Sequence, residues 1–337
     1  MTMKRPRPSS GAGRFRAAAR KPAPVPAGER ADDRARGALL GTFVGDALGM
    51  PYEGAPPGAI PQVLEMVEAR LGRGTYTDDT QMMIALAESL LRCDVVDPED
   101  LARAFRAHHD PRRGYGAGTS QVLALWEQGT PAQEAAQQLF GGSGSFGNGA
   151  AMRVAPIGVR FAEDAVLLAL EAARSARVTH SHPLGVDGAL VQAAAVGAAA
   201  EGDDPLEAAA AEARTPELRE RLRALEAATA GGLSPERLTR EEVPGSAALA
   251  SVPVAIVAGA RAESFEEAVT LGIRCGGDTD TVGAMAGAIA GARFGAGGIP
   301  ARWLDALEDG DRGRRHVERL ATQLSARASG AGATGLR

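Results

Sequence analysis

The chain has 337 residues, of which 45% are hydrophobic and 23% charged, and its net charge is −5 at pH 7. This composition is that of a folded protein with a sizeable core, and it excludes a low-complexity or wholly disordered chain. Two cysteines are too few for a disulfide framework or a zinc site, and we find no apolar run of about 18 residues that predicts a membrane span. Aromatic residues make up only 4%, so we expect an aliphatic, alanine-packed and mostly helical core.

Both ends of the chain are predicted to be tails around one domain, residues 31–325. Residues 1–30 are basic and contain several prolines, which is typical of a disordered, solvated segment. They lack the apolar stretch of a secretory signal, so we expect a cytoplasmic protein. The acidic net charge and the lack of a recognised basic motif argue against a nucleic-acid partner. Residues 326–337 are predicted to be a flexible C-terminal tail.

The first predicted helix, 33–49, carries glycines on one face and is closed by Pro51. Asp46 lies near its end, and we interpret it as a buried partner of a helix end rather than a catalyst. Glu53 follows in a loop rich in glycine and proline, where a glutamate is ordinarily exposed to solvent. Its position alone therefore does not assign chemistry to Glu53.

A pair of adjacent carboxylates opens the next predicted helix, 81–92. Asp78 and Asp79 stand between Thr77 and Thr80. Adjacent carboxylates repel and raise each other's pKa unless a cation or a hydrogen-bond donor lies between them. This cluster therefore has the composition of a cation ligand set.

Two glycine-rich segments also precede predicted helices. In the first, 110–119, Gly116 lies just before a helix predicted over 120–128, and such glycines serve either an anion or a tight turn. The second, 141–149, has five glycines in nine residues, with a helix predicted from Ala150. It matches neither a Walker loop nor the dinucleotide fingerprint. Close approach of its backbone to a pyrophosphate is the favoured interpretation, and a flexible surface loop is the alternative.

Two histidines, His180 and His182, precede a small-residue helix predicted over 185–200. A His-x-His pair can bind a metal, but no Cys/His partner set accompanies it here. Hydrogen bonding of these side chains to a ligand or to a neighbouring loop is therefore the better interpretation. The other predicted helices are outer charged helices within 201–245, a buried helix at 252–260, and helices capped by Asp97 and Ser264.

A second oxygen-rich cluster follows Cys275, where Asp278 and Asp280 alternate with Thr279 and Thr281 before a small-residue helix. Taken alone, helix capping explains such a cluster, because these side chains accept hydrogen bonds from the first amides. The presence of two such clusters in one chain favours cation binding over helix capping. If the two helix starts face each other, four carboxylates and several hydroxyls supply enough oxygen for two divalent ions.

In this order, the motifs resemble the ADP-ribosylglycohydrolase family, whose members remove ADP-ribose from modified targets. The resemblance covers about residues 35–295, and the motifs that carry it are Gly45–Gly49 with Glu53, Thr77–Thr80, Gly147–Arg153, Thr179-His180 and Gly277–Thr281. It implies a single compact all-α domain of orthogonal helices with a binuclear metal centre. The implied cofactor is two Mg²⁺ ions per chain, with Mn²⁺ as a substitute.

The resemblance also assigns residues. The family's metal ligands correspond to Thr77, Asp78, Asp79, Asp278, Asp280 and Thr281, and its catalytic glutamate corresponds to Glu53. The implied substrate contacts are Gly116, Ser145, Phe146, Gly147, Asn148, Gly149, Met152 and His180. His182 has no counterpart in the family motif.

The implied reaction breaks the bond at the anomeric carbon of the ribose, through an oxocarbenium-like centre. The resemblance implies that magnesium ions hold the ribose hydroxyls and polarise a water, while Glu53 transfers protons. The expected partners are ADP-ribosylated proteins and ADP-ribose, with no membrane partner. We expect the protein to be a monomer.

Linkage preference rests on Gly116. Arginine-specific branches, including the dinitrogenase-reductase-activating glycohydrolases, carry an aspartate in the corresponding loop. A glycine there, with Ser145 and Phe146, resembles the branch that acts on O-linked ADP-ribose at serine and on poly(ADP-ribose). We therefore expect O-linked substrates. The alternatives are an arginine-specific hydrolase, a non-catalytic ADP-ribose binder like the family's crystallins, and a magnesium-dependent phosphohydrolase.

Overall fold

Helices make up the regular structure of residues 27–331, the part of the chain that this computed structural model describes, and that part contains no strand. The predicted all-α class is confirmed. The predicted tails fall largely outside the described residues, but their boundaries are wrong. Residues 27–30 begin the first helix, since Ala, Glu and Arg favour helix, and residues 326–331 continue the last one. Arg327, in that last helix, pairs with Asp94.

The described residues form sixteen α-helices, joined in places by short 3-10 turns at Met50–Tyr52, Pro111–Arg113, Leu139–Gly142 and Ala296–Gly298. The helices are α1 Ala27–Gly49, α2 Asp78–Cys93, α3 Pro98–His108, α4 Ala117–Glu127, α5 Ala132–Gln138, α6 Ala155–Arg160, α7 Ala165–Ala176, α8 Pro183–Glu201, α9 Pro205–Glu212, α10 Pro216–Thr229, α11 Pro235–Leu238, α12 Ala248–Arg261, α13 Phe265–Arg274, α14 Thr279–Phe294, α15 Ala301–Leu304 and α16 Arg314–Ala331.

The centre of the fold is an antiparallel pair of helices, α1 and α14, in backbone contact. We call their contact the glycine seam; its members are Gly37, Gly41, Gly45 and Gly49 on α1 and Gly283, Gly287 and Gly291 on α14. Because the glycines recur every four residues, each set lies on one face of its helix. A Cβ added at Gly45 would overlap the carbonyl oxygen of Gly283. The seam therefore brings the end of α1 to the start of α14, where the second oxygen-rich cluster lies.

Helix α8 packs beside this pair. It is long and apolar enough to cross a bilayer by length and composition, contrary to the sequence expectation that no such run exists. However, 72% of its apolar stretch is buried inside the fold. Gln192 of α8 donates from Nε2 to the carbonyl of Met285 in α14 at 3.0 Å. Other helices thus cover α8, and its apolar composition is that of a core helix.

Both predicted helix caps are confirmed. Asp97 accepts a hydrogen bond from the amide of Asp100 at 2.8 Å, and Ser264 accepts one from the amide of Glu267 at 3.1 Å. Each bond satisfies an amide that has no partner inside its helix. These local signals could be recognised without knowing the rest of the fold.

The helix start predicted at Ala150 is wrong. Residues 149–153 form turns, and α6 begins at Ala155 rather than at Ala150. The carbonyl of Asn148 accepts hydrogen bonds from the amides of both Ala151 and Met152, which closes a tight turn. The chain therefore leaves the glycine-rich segment through this turn before a helix can form.

Candidate active site

Two helix N-termini face each other at the floor of a cavity of about 340 Å³. Asp78 and Asp79 belong to the start of α2, and Asp278 and Asp280 belong to the start of α14. The hydroxyl of Thr281 lies 3.4 Å from Oδ1 of Asp79, across a separation of 202 positions in the chain. The two oxygen-rich clusters therefore meet, and we call these five residues the carboxylate floor.

Asp46, from α1, holds the start of α2 in place. Its carboxylate accepts hydrogen bonds from the Thr77 amide at 3.0 Å, the Thr80 amide at 3.1 Å and the Thr80 hydroxyl at 2.6 Å. Burial raises the pKa of Asp46 to about 6, although the bonds from Thr80 and Thr77 oppose this rise. The interpretation of Asp46 as a buried partner of a helix end is confirmed. The end that it binds is the N-terminus of α2, not the end of its own helix.

The carboxylate floor concentrates negative charge in a buried place. Burial, together with the charges of Asp46 and Asp278, raises the pKa of Asp78 to about 7. Burial, followed by the charge of Asp280, raises the pKa of Asp79 well above its usual value. The pKa of Asp280 is also raised, by burial and then by Asp278. Such an arrangement is stabilised by protons or by a bound cation.

The donor set fits hard divalent cations, because Mg²⁺ and Ca²⁺ prefer carboxylate and hydroxyl oxygens. Oδ2 of Asp79 is buried and has no hydrogen-bond partner among the described residues, so it offers a free ligand position. Within the described part of the chain, no three His, Cys, Asp or Glu side chains already enclose an ion site. The residues of the carboxylate floor would hold such a cation and supply its oxygen ligands.

Thr77 lies behind this floor. Its hydroxyl accepts a hydrogen bond from the Asp79 amide at 3.3 Å and thereby caps α2. Capping was weighed only for the cluster after Cys275, where no side chain caps α14, and it is Thr77 that acts as a cap. Thr77 does not line the cavity. A hydroxyl oxygen has two lone pairs, so capping leaves one for another partner.

Glu53 lies at the rim of the cavity, in the loop after α1. The amide of Gly54 donates to the carbonyl of Gly277 at 2.7 Å, and the amide of Gly277 donates to the carbonyl of Ala55 at 2.9 Å. These two bonds fix the loop to the turn that precedes Asp278. The exposed side chain of Glu53 lines the same cavity as the carboxylate floor.

The glycine loop, residues 141–149, forms another wall. The amide of Asn148 donates to the carbonyl of Ser246 at 2.8 Å, and the amide of Ala248 donates to the carbonyl of Phe146 at 3.0 Å. The loop is therefore fixed to the chain before α12, which contradicts the alternative of a flexible surface loop. The backbone amides of Ser145 and Gly149 make no hydrogen bond within the described residues, so they are free to bind a ligand.

Asn148 joins the glycine loop to the carboxylate floor. Its Nδ2 donates to Oδ2 of Asp278 at 2.8 Å and to the hydroxyl of Ser251 at 3.0 Å. The side chain is buried. Asn148 thus couples the position of the loop to the position of one carboxylate.

His180 closes the cavity beside the glycine loop. Its Nδ1 lies 2.7 Å from the hydroxyl of Thr179, which also accepts a hydrogen bond from Nη2 of Arg153 at 2.8 Å. Burial lowers the pKa of His180 to about 3, so the imidazole is neutral at pH 7. His182 instead caps α8 by accepting a hydrogen bond from the amide of Leu184, and it does not line the cavity.

Two exposed phenylalanines lie at the glycine loop: Phe140 directly precedes it, and Phe146 lies within it. Phe140 is 52% exposed and lines the cavity, whereas Phe146 is 53% exposed and does not. Phe146 packs edge-on against His182, with 5.7 Å between the ring centroids. Phe140 has a φ of 52°, a left-handed conformation that is rare for a bulky residue. The sequence analysis missed Phe140, although an aromatic residue directly before a glycine run was a usable signal.

Gly116 is the N-cap of α4, with φ −64° and ψ 157°, and no side chain caps this helix. Any residue adopts this conformation. Nothing lies within 4 Å of a Cβ built on Gly116. Neither backbone strain nor packing demands glycine here, and its absent side chain leaves room at the cavity wall.

The predicted site residues other than Thr77 and Phe146 all line this one cavity. Their chemical roles stay predictions. Sequence reasoning missed seven lining residues, which are Gly114, Ala117, Gly118, Thr119, Phe140, Thr179 and Ser246. Ser246 follows Pro244 and Gly245, and nothing in the neighbouring sequence predicts that it lines a cavity. Its position depends on the pairing of this segment with the glycine loop.

Paired acids beside a loop with free amides fit the class of hydrolases that act on phosphate-containing glycosides. Within that class, the chain belongs to the ADP-ribosylglycohydrolase family, whose sequence profile matches residues 27–334. It is therefore a glycosyl hydrolase that acts on ADP-ribose, as the sequence analysis predicted.

Individual relatives agree with this assignment. ADP-ribosylhydrolase ARH3 of Bos taurus is 36% identical over 329 residues, covering 83% of this chain and 90% of that protein. ADP-ribosylarginine hydrolase Tri1 of Pseudomonas putida is 28% identical, covering 89% of this chain and 80% of that protein. A solved structure described as an ADP-ribosylglycohydrolase-related protein complex has a TM-score of 0.73 at 34% identity, covering 89% of this chain and 99% of the other.

Proposed function

We propose that this enzyme removes ADP-ribose from serine-type O-linked conjugates on proteins, and from poly(ADP-ribose), with the help of two Mg²⁺ ions or Mn²⁺ in their place. The observation that carries the proposal is the meeting of the carboxylate floor, Glu53 and the glycine loop in one cavity. Each part matches a need of the reaction. A pyrophosphate must be held, a ribose oriented and a leaving oxygen protonated.

The cations would be held by the carboxylate floor and the hydroxyl of Thr77. The raised pKa values of Asp79 and Asp280 and the unpaired Oδ2 of Asp79 support this assignment, because each reflects negative charge without a counter-charge. Bound cations of this kind orient hydroxyl groups and lower the pKa of a coordinated water.

The pyrophosphate of ADP-ribose would lie against the glycine loop. The free amides of Ser145 and Gly149 are suited to an anion, and the buried charge of Arg153 behind the loop favours one. Phe140, exposed at the cavity wall, offers an apolar face on which an adenine can stack. Phe146 reaches the ligand only if its ring leaves His182.

Glu53 would transfer protons at the anomeric centre. Its carboxylate lines the cavity, and its loop is bonded to the turn before Asp278, so it stays next to the floor. A carboxylate at this position protonates a leaving oxygen or accepts a proton from the attacking water.

The linkage preference is proposed from the cavity wall at Gly116. An aspartate at this position would place a carboxylate where a substrate guanidinium could pair with it. The open space beside Gly116 contains no such group. The relative named ADP-ribosylhydrolase ARH3 is also more similar to this chain than the one named ADP-ribosylarginine hydrolase.

The direct test is analysis of the products from a peptide that carries ADP-ribose on serine. With Mg²⁺ present, we expect free ADP-ribose and the unmodified peptide, and after exhaustive chelation we expect neither. AMP together with a phosphoribosyl peptide would instead assign a phosphohydrolase. Tight binding of ADP-ribose without turnover would assign a non-catalytic binder, and full turnover in chelator would exclude the cation requirement.

A further inference from the structure

Arg153 is fully buried and pairs with no carboxylate among the described residues. Its guanidinium donates to the carbonyl of Gly149 at 3.0 Å, the carbonyl of Ser175 at 3.1 Å and the hydroxyl of Thr179 at 2.8 Å. Burial lowers the pKa of Arg153 to about 9, so it is still charged at pH 7. A buried charge without a counter-charge is costly, so these hydrogen bonds are needed to stabilise it.

The three bonds of Arg153 determine where the protons of its neighbours lie. A guanidinium only donates, so the Thr179 oxygen accepts from Arg153. If Nδ1 of His180 also donated to that oxygen, the Thr179 proton would have no acceptor within the described residues. If the hydroxyl donates to Nδ1, both the Thr179 hydroxyl and Nδ1 of His180 are satisfied. Buried polar groups are almost always satisfied, so the second arrangement is the stable one.

We propose that Arg153 and Thr179 act as positioning residues that fix His180 as the tautomer with its proton on Nε2, ready to donate to a ligand oxygen. The imidazole lines the cavity, and Nε2 makes no hydrogen bond within the described residues. A Cβ built on Gly149 lies 3.4 Å from Nε2, and one built on Gly147 lies 3.5 Å from it. The Nε2 proton therefore lies beside the glycine loop, where the proposed function places the pyrophosphate.

The same arrangement links the charge of Arg153 to the loop. Because the guanidinium holds the carbonyl of Gly149 and, through Thr179, the ring of His180, both move as one unit. A ligand anion then meets one imidazole N–H and the free amide of Gly149 without any rearrangement. Preorganised donors of this kind bind more tightly than donors that must first be ordered.

The test is ¹⁵N NMR of the histidine rings in the ligand-free protein, combined with calorimetry of ADP-ribose binding. The chain has only five histidines, and His180→Gln identifies the His180 signals by their loss. We expect the Nε2–H tautomer in the wild type and in Thr179→Ser, which retains the hydroxyl. In Thr179→Val the hydroxyl is lost, and we expect a mixture of tautomers and affinity lower by about five- to tenfold.

The outcomes are decisive in either direction. In a His180→Gln background, Thr179→Val should have no further effect on affinity, because Thr179 acts through the histidine. A wild-type His180 with its proton on Nδ1, or a Thr179→Val protein with unchanged tautomer and affinity, would overturn the proposal. The ligand is taken from the proposed function, but the tautomer is read without ligand. If the wild type does not bind ADP-ribose, the proposed function is wrong. The NMR measurement still tests the tautomer of His180, because it needs no ligand.

Discussion

Glycine has different roles in the glycine seam and in the glycine loop. In the seam, the glycines are helical and buried, and each faces the backbone of the other helix. In the loop, Gly141, Gly142 and Gly144 have positive φ values of 67°, 91° and 74°. The first two have open space where a side chain would lie. The seam needs glycine for close approach, whereas these loop positions need it for their backbone conformation.

This difference separates the part that positions the chemistry from the part that binds the ligand. The seam fixes the start of α14 against the end of α1, and it thereby places Asp278, Asp280 and the Glu53 loop together. The glycine loop reaches the floor through one side chain, Asn148. Changes in the seam should therefore affect folding, and changes in the loop should affect binding.

The largest effect is expected from Gly45→Ala. The new methyl would overlap the Gly283 carbonyl, and a backbone cannot yield as a flexible side chain can, so α1 and α14 must separate. We expect a loss of at least about 3 kcal/mol in the free energy of unfolding, measured by denaturant titration. Gly28→Ala is the matched control, since nothing lies within 4 Å of its Cβ in the same helix. If Gly45→Ala were as stable as the wild type, the backbone contact between α1 and α14 at this position would be contradicted.

The next effect concerns the floor that the seam positions. Asp78→Ala removes one carboxylate from the start of α2, and we expect turnover to fall by at least about 10³-fold. Without a cation the variant should melt no lower than the wild type, because charge repulsion is relieved. Addition of Mg²⁺ should raise the melting temperature of the wild type much more than that of the variant. An equal rise in melting temperature in both proteins would show that Asp78 is not a ligand of the cation.

Glu53→Gln tests the rim of the cavity. The amide keeps the size of the side chain and some of its hydrogen bonding but does not transfer protons. We expect a rate lower by roughly 10²-fold with ADP-ribose affinity and melting temperature unchanged. Single-turnover kinetics beside calorimetry separates these quantities. A variant with a wild-type rate would show that Glu53 is not the proton-transferring group.

Gly149→Val tests the loop. Its φ is not in the left-handed region, and its Cβ would lie 3.2 Å from Cε1 of His180, so a larger side chain must displace the imidazole. We expect ADP-ribose affinity to fall about tenfold or more, while the ligand-free melting temperature changes little. Gly245→Ala, in the neighbouring segment with open space, is the control. If Gly149→Val does not fold, Gly149 is needed for folding, as the glycines of the seam are, rather than for ligand binding.

The smallest effect is expected at Gly116, which belongs to neither group. Aspartate is a better N-cap than glycine by a few tenths of a kcal/mol, so Gly116→Asp should slightly raise the free energy of unfolding. If the open space serves O-linked substrates, turnover of a serine-linked peptide should fall in the same variant. A stability gain with unchanged turnover would show that this wall does not contact the substrate.

The helical class and the two oxygen-rich clusters could be predicted from local sequence signals, whereas Glu53 and the substrate contacts were assigned from the family resemblance. Caps at Asp97 and Ser264 and the oxygen-rich starts of α2 and α14 depend on neighbouring residues, and the structure has them. The helix predicted from Ala150 was wrong because a turn closed by Asn148 competes with it. Such competition is decided by contacts with distant segments, here the chain at Ser246.

Long-range pairing was the part that sequence reasoning could not derive. The glycine spacing on α1 and α14 is visible in the sequence, but nothing local indicates that the two faces meet. The hypothesis that the two oxygen-rich clusters face each other came from counting ligands, and the contact of Thr281 with Asp79 agrees with it. The chain of bonds from Arg153 to His180 depends on side-chain packing, which no motif contains.

The most direct measurement of the central claim is a side-by-side comparison of ADP-ribose release from serine-linked and arginine-linked peptides by the wild type with Mg²⁺. We predict faster release from serine, with free ADP-ribose as the product in the presence of Mg²⁺ and none after chelation. Release from arginine alone would contradict the proposed linkage and leave the family assignment in place. Release from neither peptide, with the cavity and the carboxylate floor intact, would contradict the proposed function itself.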